Sequence, residues 1–113
     1  MNIRPLFRPQ AAYDIDLEME WSVQFTINGL IFSDIDVKLK VETFGPSNDI
    51  EDWNVTAIGT EQVVSRQAGV IQRKTVWVHD LDSDEAQYIL RKLRNDDDFD
   101  AHVRYLANEE GAE

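Results

Sequence analysis

The chain has 113 residues, 42% of them apolar, and 22 acidic against 11 basic side chains give a formal net charge of −11. This length and composition predict one folded domain and argue against a chain that is disordered throughout. The charge disfavours direct binding to nucleic acid or anionic membranes and predicts basic protein surfaces or divalent cations as partners. Solubility and adaptation to high salt are the alternative reasons for such acidity.

The chain contains no cysteine, which excludes disulfides, zinc thiolates and thiol nucleophiles within it. It has no apolar run near the ~18 residues of a membrane span and no apolar segment typical of a secretion signal at its start. We therefore expect a protein of the reducing cytoplasm with no membrane partner.

Residues 1–12 are predicted to form a basic arm. Pro5 and Pro9 disfavour helix at the residues before them, and Arg4 and Arg8 are the only charged side chains of the segment. We expect this arm to lie across the acidic side of the domain or to contact a neighbouring subunit.

The segment 13–28 alternates between apolar and polar residues without exception. A period of 2 predicts a long strand with one buried face, because successive side chains of a strand point to opposite faces. The polar face opens with four carboxylates spaced roughly 6.5–7 Å apart. These four, here called the acidic row, are Asp14, Asp16, Glu18 and Glu20.

Asn28-Gly29 predicts a two-residue hairpin turn, because this pair accepts the positive φ angles of a type I′ turn. The returning strand covers 31–42, and its apolar residues share the buried face only if one extra residue is inserted at Ser33-Asp34. We therefore predict a β-bulge there.

The bulge fixes a cross-strand register. It pairs Val23 with Ile35, Trp21 with Val37, Met19 with Leu39, Glu20 with Lys38, and Glu18 with Lys40. Opposite charges across a strand pair support the register and half neutralise Glu18 and Glu20. Asp14 and Asp16 gain no such lysine, and Asp16 would face Glu42.

The sheet continues with a strand over 53–58 that Gly59 is expected to end. The segment 60–69 fits either a continued strand or a short helical turn, and 70–79 reads as a fourth strand. The polar pair Arg73-Lys74 in its middle predicts an exposed or edge position.

Two helices are predicted over 82–108, followed by a frayed tail over 109–113. Asp82 and Glu85 have the spacing of a capping box. The apolar stripes are Ala86, Ile89, Leu90 and Leu93 in the first helix, and Phe99, Val103 and Leu106 in the second. Asp96, Asp97, Asp98 and Asp100 stand at the start of the second helix, where carboxylates suit the helix dipole.

These elements predict an α+β fold in which residues 1–113 form a single domain. An antiparallel sheet of about four strands, led by the long N-terminal hairpin, occupies 13–79. The two C-terminal helices are expected to pack on one face of the sheet.

No catalytic or metal-binding motif is present. Asp80, Asp82 and Asp84 begin like a calcium loop, but Glu85 and Arg91 stand where that loop requires Gly and Glu. The two histidines, His79 and His102, have no metal-ligand spacing, and no nucleophile elbow occurs. A hydrolytic carboxylate pair stays open because only the fold would bring it together. We predict a protein that is not an enzyme and uses no cofactor and no metal.

The predicted partner-binding residues are the acidic row and the acids that open the second helix: Asp14, Asp16, Glu18, Glu20, Asp96, Asp97, Asp98 and Asp100. With these acids, its short length and its strands-then-helices layout, the chain resembles small phage-encoded accessory proteins that imitate DNA, such as anti-restriction and anti-CRISPR proteins. The resemblance implies an inhibitor that occupies the basic surface of a nucleic-acid-binding protein in a host cytoplasm.

A structural or assembly protein is the alternative. In that case the acids are solvated, and the chain forms a homo-oligomer through its sheet edges and its N-terminal arm. Arg4, Arg8 and Trp77 are then the predicted interface residues, with tryptophan typical of interface anchors.

Overall fold

A computed structural model describes residues 12–111, without the side chains of Ile27 and of residues 31–33. The predicted basic arm, with Arg4 and Arg8, lies outside the described residues except for Ala12. The elements in chain order are β1 (Asp16–Ile27), β2 (Leu30–Phe44), β3 (Asp52–Gln67), β4 (Val70–Val78), α1 (Asp84–Arg94) and α2 (Asp97–Glu110).

The four strands form one sheet in the order β1-β2-β3-β4, and each neighbouring pair is antiparallel. Both helices pack on the same face of this sheet. The predicted α+β fold, an antiparallel sheet followed by two C-terminal helices, is confirmed.

The predicted register of the first hairpin is confirmed at every pair from Asp16–Glu42 to Val23–Ile35. Asn28 and Gly29 both have positive φ, as the turn requires, and Ile27 pairs with Leu30. The bulge comes one residue earlier than predicted. Phe25 pairs with Ser33 and Thr26 with Ile31, so the inserted residue is Phe32.

The start of β1 differs from the prediction. The strand begins at Asp16, and Asp14 has a φ of 51° in the left-handed region. Tyr13 makes an isolated bridge with Pro46 and is 69% exposed, so it does not belong to the core. Pro46 has no N–H to continue the ladder, and the chain turns at Asp14 instead of extending β1.

The core lies between the helices and the odd-numbered face of β1. Leu17, Met19 and Val23 are buried as predicted, and Trp21 is half-buried against the core. The largest fully buried apolar side chains are Leu39, Val41, Leu93, Phe99 and Val103. Ile35 is an exception at 43% exposed, although Val23 opposite it is buried.

Gly59 does not end the third strand. β3 runs through it to Gln67, so the ambiguous segment 60–69 is strand up to the turn at Ala68 and Gly69. A Cβ at Gly59 would lie 3.0–3.1 Å from atoms of Lys38, Thr75 and Trp77. Glycine is therefore favoured here by the close approach of side chains from both neighbouring strands.

Beyond Gly59, β3 pairs with β4 alone, because the β2–β3 ladder begins at the Lys38–Gly59 pair. We call residues 60–75 the β3–β4 arm. The described chain measures 64 × 41 × 24 Å, and its Cα radius of gyration is 18.2 Å. A compact domain of this length has a value of about 13 Å. Strand pairs that project beyond the packed helices, the β3–β4 arm among them, account for the larger radius of gyration.

The helix termini also correct two predictions. Ser83, not Asp82, is the N-cap of α1, and its hydroxyl accepts a hydrogen bond from the backbone N–H of Ala86 at 3.2 Å. The backbone N–H of Asp82 instead donates to the side chain of Asp80. α2 extends to Glu110, so the tail is not frayed at 109 and 110. Gly111 caps α2 and is buried.

Candidate functional site

β1 is an edge strand with β2 as its single strand neighbour in the described part of the chain. The C=O of Ile15 accepts a backbone hydrogen bond from Thr43 of β2, whereas the N–H of Thr26 donates to the Tyr88 hydroxyl of α1. Because backbone groups alternate sides along a strand, those of the even-numbered residues point away from β2. The backbone of Glu18, Glu20, Ser22 and Gln24 therefore faces the open edge.

A groove of about 850 Å³ follows this edge, between β1 and the connection from α1 to α2. We call it the edge groove. Its apolar lining comes from Trp21, Val23 and Leu93. Its charged lining consists of one lysine, Lys92, and five carboxylates, those of Glu20, Asp34, Asp96, Asp97 and Asp98. Within the described part of the chain, the groove combines strand backbone that has no strand partner with a strongly negative wall.

The half-buried Trp21 joins the edge groove to the core. Its ring contacts Phe99 edge-on, with centroids 5.3 Å apart, and lies 5.1 Å from the His102 ring. Its indole N–H donates to Oδ2 of Asp96 at 3.2 Å. These contacts fix the start of α2 against β1 and so set the width of the groove.

The acidic row is shorter than the sequence predicts. Asp14 stands outside β1, and its Oδ1 accepts a hydrogen bond from the Gly45 N–H at 3.2 Å. Asp16, Glu18 and Glu20 remain exposed on the face of the sheet that the helices leave open. The row therefore has three members in register rather than four.

The lysines opposite the row point to other partners. The Lys38 ammonium is 3.4 Å from a carboxylate oxygen of Glu61 and donates to the Thr75 hydroxyl at 3.1 Å. The Lys40 ammonium lies 4.5 Å from the centroid of the Trp77 ring. Both lysines thus turn toward β3 and β4, and Glu18 and Glu20 keep more of their negative field than the register alone predicts.

The four acids at the start of α2 have different surroundings. Asp96 is the N-cap, with Oδ1 accepting from the backbone N–H groups of Asp98 and Phe99. Asp100 Oδ1 accepts from the Trp53 indole N–H at 2.8 Å, and its Oδ2 accepts from Arg104 Nε at 2.9 Å. Asp97 and Asp98 are exposed and line the groove. Asp96 and Asp100 hold the fold, so they are poor candidates for direct partner contacts.

The Trp53 hydrogen bond, followed by the Arg104 guanidinium, lowers the pKa of the Asp100 carboxyl below its ordinary value of 3.8. Both donors favour the charged form. The third candidate interface residue, Trp77, is half-buried on the open face of the sheet, beneath Lys40. Its ring is already in contact with its own sheet.

Sequence reasoning missed several groove residues, notably Asp34, Gln24 and Lys92. Asp34 lies opposite Gln24 in the hairpin, whereas the sequence predicted a bulge at Ser33-Asp34. Lys92 belongs to α1, and its approach to β1 leaves no periodic signal in the sequence.

Within residues 12–111, no group of three or more histidine, aspartate or glutamate side chains is placed to hold a metal ion. No helix in that range is long and apolar enough to cross a membrane. The fold and the groove together define an acidic α+β domain with an open strand edge. No family model, curated protein or solved structure matches the chain.

Proposed function

We propose that this protein is a non-catalytic, acidic binding module that occupies a basic surface of a partner protein. It does so by taking an extended basic segment of that partner into the edge groove. The observation that carries the proposal is that, in residues 12–111, β1 backbone without a strand partner lies in one groove with five carboxylates, four of which take no part in capping α2. An edge strand supplies backbone hydrogen bonds to an added strand, and the carboxylates select lysine and arginine.

The apolar lining supports the same kind of ligand. Lysine and arginine have long aliphatic stems that cover apolar surface while their charged ends stay in water. The half-buried Trp21 offers such surface next to Asp97 and Asp98. A bound basic strand can therefore bury its stems against the groove and direct its charges to the carboxylates.

The proposed partner class is a nucleic-acid-binding protein of the cytoplasm. Basic surfaces that bind nucleic acid are shaped to neutralise regularly spaced phosphates. Asp16, Glu18 and Glu20 follow each other at strand spacing next to the groove, on an exposed face. In this proposal they compete with phosphates for the partner's lysines and arginines, which makes the protein an inhibitor.

The first experiment measures binding of a fluorescently labelled peptide of alternating lysine and threonine by anisotropy. One control peptide replaces lysine by glutamate, and a second keeps the lysines but replaces alternate threonines by proline, which removes backbone donors. We expect the lysine–threonine peptide to bind about tenfold or more tightly than either control. Its affinity should fall with salt, because the Debye length shrinks from about 10 Å at 0.1 M to about 3 Å at 1 M.

The second experiment places the binding in the groove. The double variant Asp34→Lys with Asp97→Lys reverses two groove charges. The control variant, Asp49→Lys with Glu109→Lys, changes the net charge equally at exposed positions outside the groove. We expect the groove variant to lose about tenfold or more in affinity and the control variant to lose much less. Equal losses would show that only the overall charge attracts the peptide, and would overturn the proposal.

A further inference from the structure

The β3–β4 arm exposes apolar side chains that no other part of residues 12–111 covers. Val63, Val64, Val70 and Ile71 are 46%, 57%, 60% and 50% exposed, respectively. A two-stranded ribbon is at best marginally stable on its own in water. The exposed apolar residues thus form two adjacent pairs along the arm, Val63-Val64 and Val70-Ile71.

The arm is also basic, although the chain as a whole is strongly acidic. Residues 60–75 contain three basic side chains, Arg66, Arg73 and Lys74, and one acidic side chain, Glu61. The arm therefore carries a net charge of +2 within a chain whose net charge is −11. Its charge is complementary to the edge groove and to the acidic row.

We propose that the β3–β4 arm of one copy docks in the edge groove of a second copy, with β4 pairing along β1. This inference rests on the proposed function, because it uses the same groove and names one basic strand that the groove accepts. The partner is a second copy of this chain. The apolar residues of the arm meet the half-buried Trp21 of the groove, and its cations meet the carboxylates.

The strand order makes this pairing antiparallel. Strand direction alternates across β1-β2-β3-β4, so β1 and β4 run in opposite directions. A second copy displaced along the sheet therefore presents its β1 antiparallel to the β4 of the first. Antiparallel pairing is the more stable arrangement per residue.

Pairing of two β1 edges is disfavoured by comparison. It would bring two acidic rows together, and like charges on adjoining strands destabilise the pair. Docking of the arm in the groove is instead a head-to-tail contact, which leaves the groove of one copy and the arm of the other free for further copies. Such contacts produce rings or open filaments.

The test is sedimentation velocity of the full chain over a concentration series, with two blocked variants. Ser22→Pro removes a backbone N–H that points to the open edge of β1. Arg73→Pro removes one on the outer edge of β4, because the two-residue turn at Ala68-Gly69 directs the backbone of odd-numbered residues outward. Edge strands tolerate proline at such positions. The matched controls are Ser22→Thr and Arg73→Lys, which keep the N–H.

We expect the wild type and both controls to form assemblies that grow with concentration, and each blocked variant to weaken self-association by about tenfold or more. An equimolar mixture of the two blocked variants should form a heterodimer and stop there, because it contains one usable arm and one usable groove. Growth of the single variants equal to that of the wild type would overturn the inference.

A second pair of variants keeps the test decisive if a proline unfolds the chain, as circular dichroism would show. Asp97→Asn with Asp98→Asn, and Arg66→Ser with Lys74→Ser, remove the complementary charges at exposed positions and should each weaken assembly. A wild type that stays monomeric yet binds the lysine–threonine peptide would overturn this inference and leave the proposed function intact. A wild type that neither assembles nor binds the peptide would overturn both.

Discussion

Two aspartates at the start of α2 accept hydrogen bonds from tryptophan indoles and thereby hold the helix on the sheet. Trp53 is buried at 3% exposure, and its N–H is satisfied by Asp100, while Trp21 donates to Asp96. The Arg94 guanidinium covers the Trp53 ring at 4.1 Å and donates to Asp52 at 3.0 Å. At the residue scale, these contacts connect the helices to the sheet through polar groups at the border of the core.

Removing the acceptor at Asp100 should destabilise the fold. Asp100→Ala leaves the buried Trp53 N–H without its acceptor, and an unsatisfied buried donor costs about 1–3 kcal/mol. Asp100→Asn should cost less, because its amide oxygen can still accept. Urea denaturation of both variants measures the difference. Glu109→Ala, an exposed change in the same helix, serves as the control, and an Asp100→Ala variant as stable as this control would contradict the role of Asp100.

The same carboxylate predicts how stability depends on pH. The pKa of Asp100 is lowered by the Trp53 indole and by Arg104, and that of Asp52 is lowered by the Trp53 backbone N–H and by Arg94. A carboxylate with a lowered folded-state pKa stabilises the fold above its unfolded pKa of about 3.9, and this stability is lost as the pH falls through the folded-state value. We expect the unfolding free energy to decline below about pH 4. The decline should be smaller in Asp100→Asn, as urea titrations at successive pH values will report.

At the scale of elements, β1 carries two surfaces with opposite requirements. Its odd-numbered face is held by the core, with Val23 at 3% exposure, and its even-numbered face and edge are in solvent. One strand thus supplies both the centre of the fold and one wall of the edge groove. Substitutions at odd-numbered residues of β1 are therefore expected to affect folding, and those at the adjacent even-numbered residues to affect binding.

Val23→Asp and Gln24→Asp place the same charge at adjacent residues of β1. The first puts an uncompensated carboxylate into the core, at a cost of about 3–5 kcal/mol. That is a large part of the 5–15 kcal/mol that typically stabilises a domain. The second adds a charge at an exposed position opposite Asp34 and should cost less than about 1 kcal/mol. Thermal melts followed by circular dichroism distinguish the two, and similar melting of both would refute the assignment of faces.

At the scale of the whole molecule, charge and shape are both asymmetric. The β3–β4 arm is basic and projects from the domain. The acidic row and the edge groove lie on β1, at the opposite edge of the sheet. β1 and β4 are the two edges of one sheet, so the edge groove and the β3–β4 arm are separated by the full width of the sheet. This separation suits head-to-tail contacts between copies.

The projecting arm should be the first part of the sheet to open. Among the described residues its strands pair only with each other, and most of its side chains are exposed. Local opening requires less free energy where buried contacts are few. We expect amide hydrogens of 61–66 to exchange faster than those of 39–43 and 53–58 in dilute solution, measured by hydrogen exchange with mass spectrometry. Equal protection would contradict this, and added protection of the arm at high concentration would accompany assembly.

The sequence by itself determined the local features of this protein. Strict alternation defined the buried face of β1, Asn28-Gly29 defined the turn, and the need to keep apolar residues in phase defined the register from Asp16 to Val23. These features follow from the period of a strand and from positive φ at a turn, both of which depend on neighbouring residues alone. The two helices were predicted for the same reason, because their apolar stripes are local in the sequence, although the N-cap of α1 is Ser83 and not the predicted Asp82.

Only the tertiary structure decided the site. Trp21 and Asp97 line the same groove although they lie far apart in the chain, and no periodic pattern relates them. Lys38 faces Glu20 in register, but its ammonium lies against Glu61 of β3. Sequence periodicity predicts which face of the sheet a side chain occupies. Its contact partner depends on which other elements come within a few ångströms of it, and only the tertiary structure sets that. That competition among nearby groups left the edge groove acidic and open.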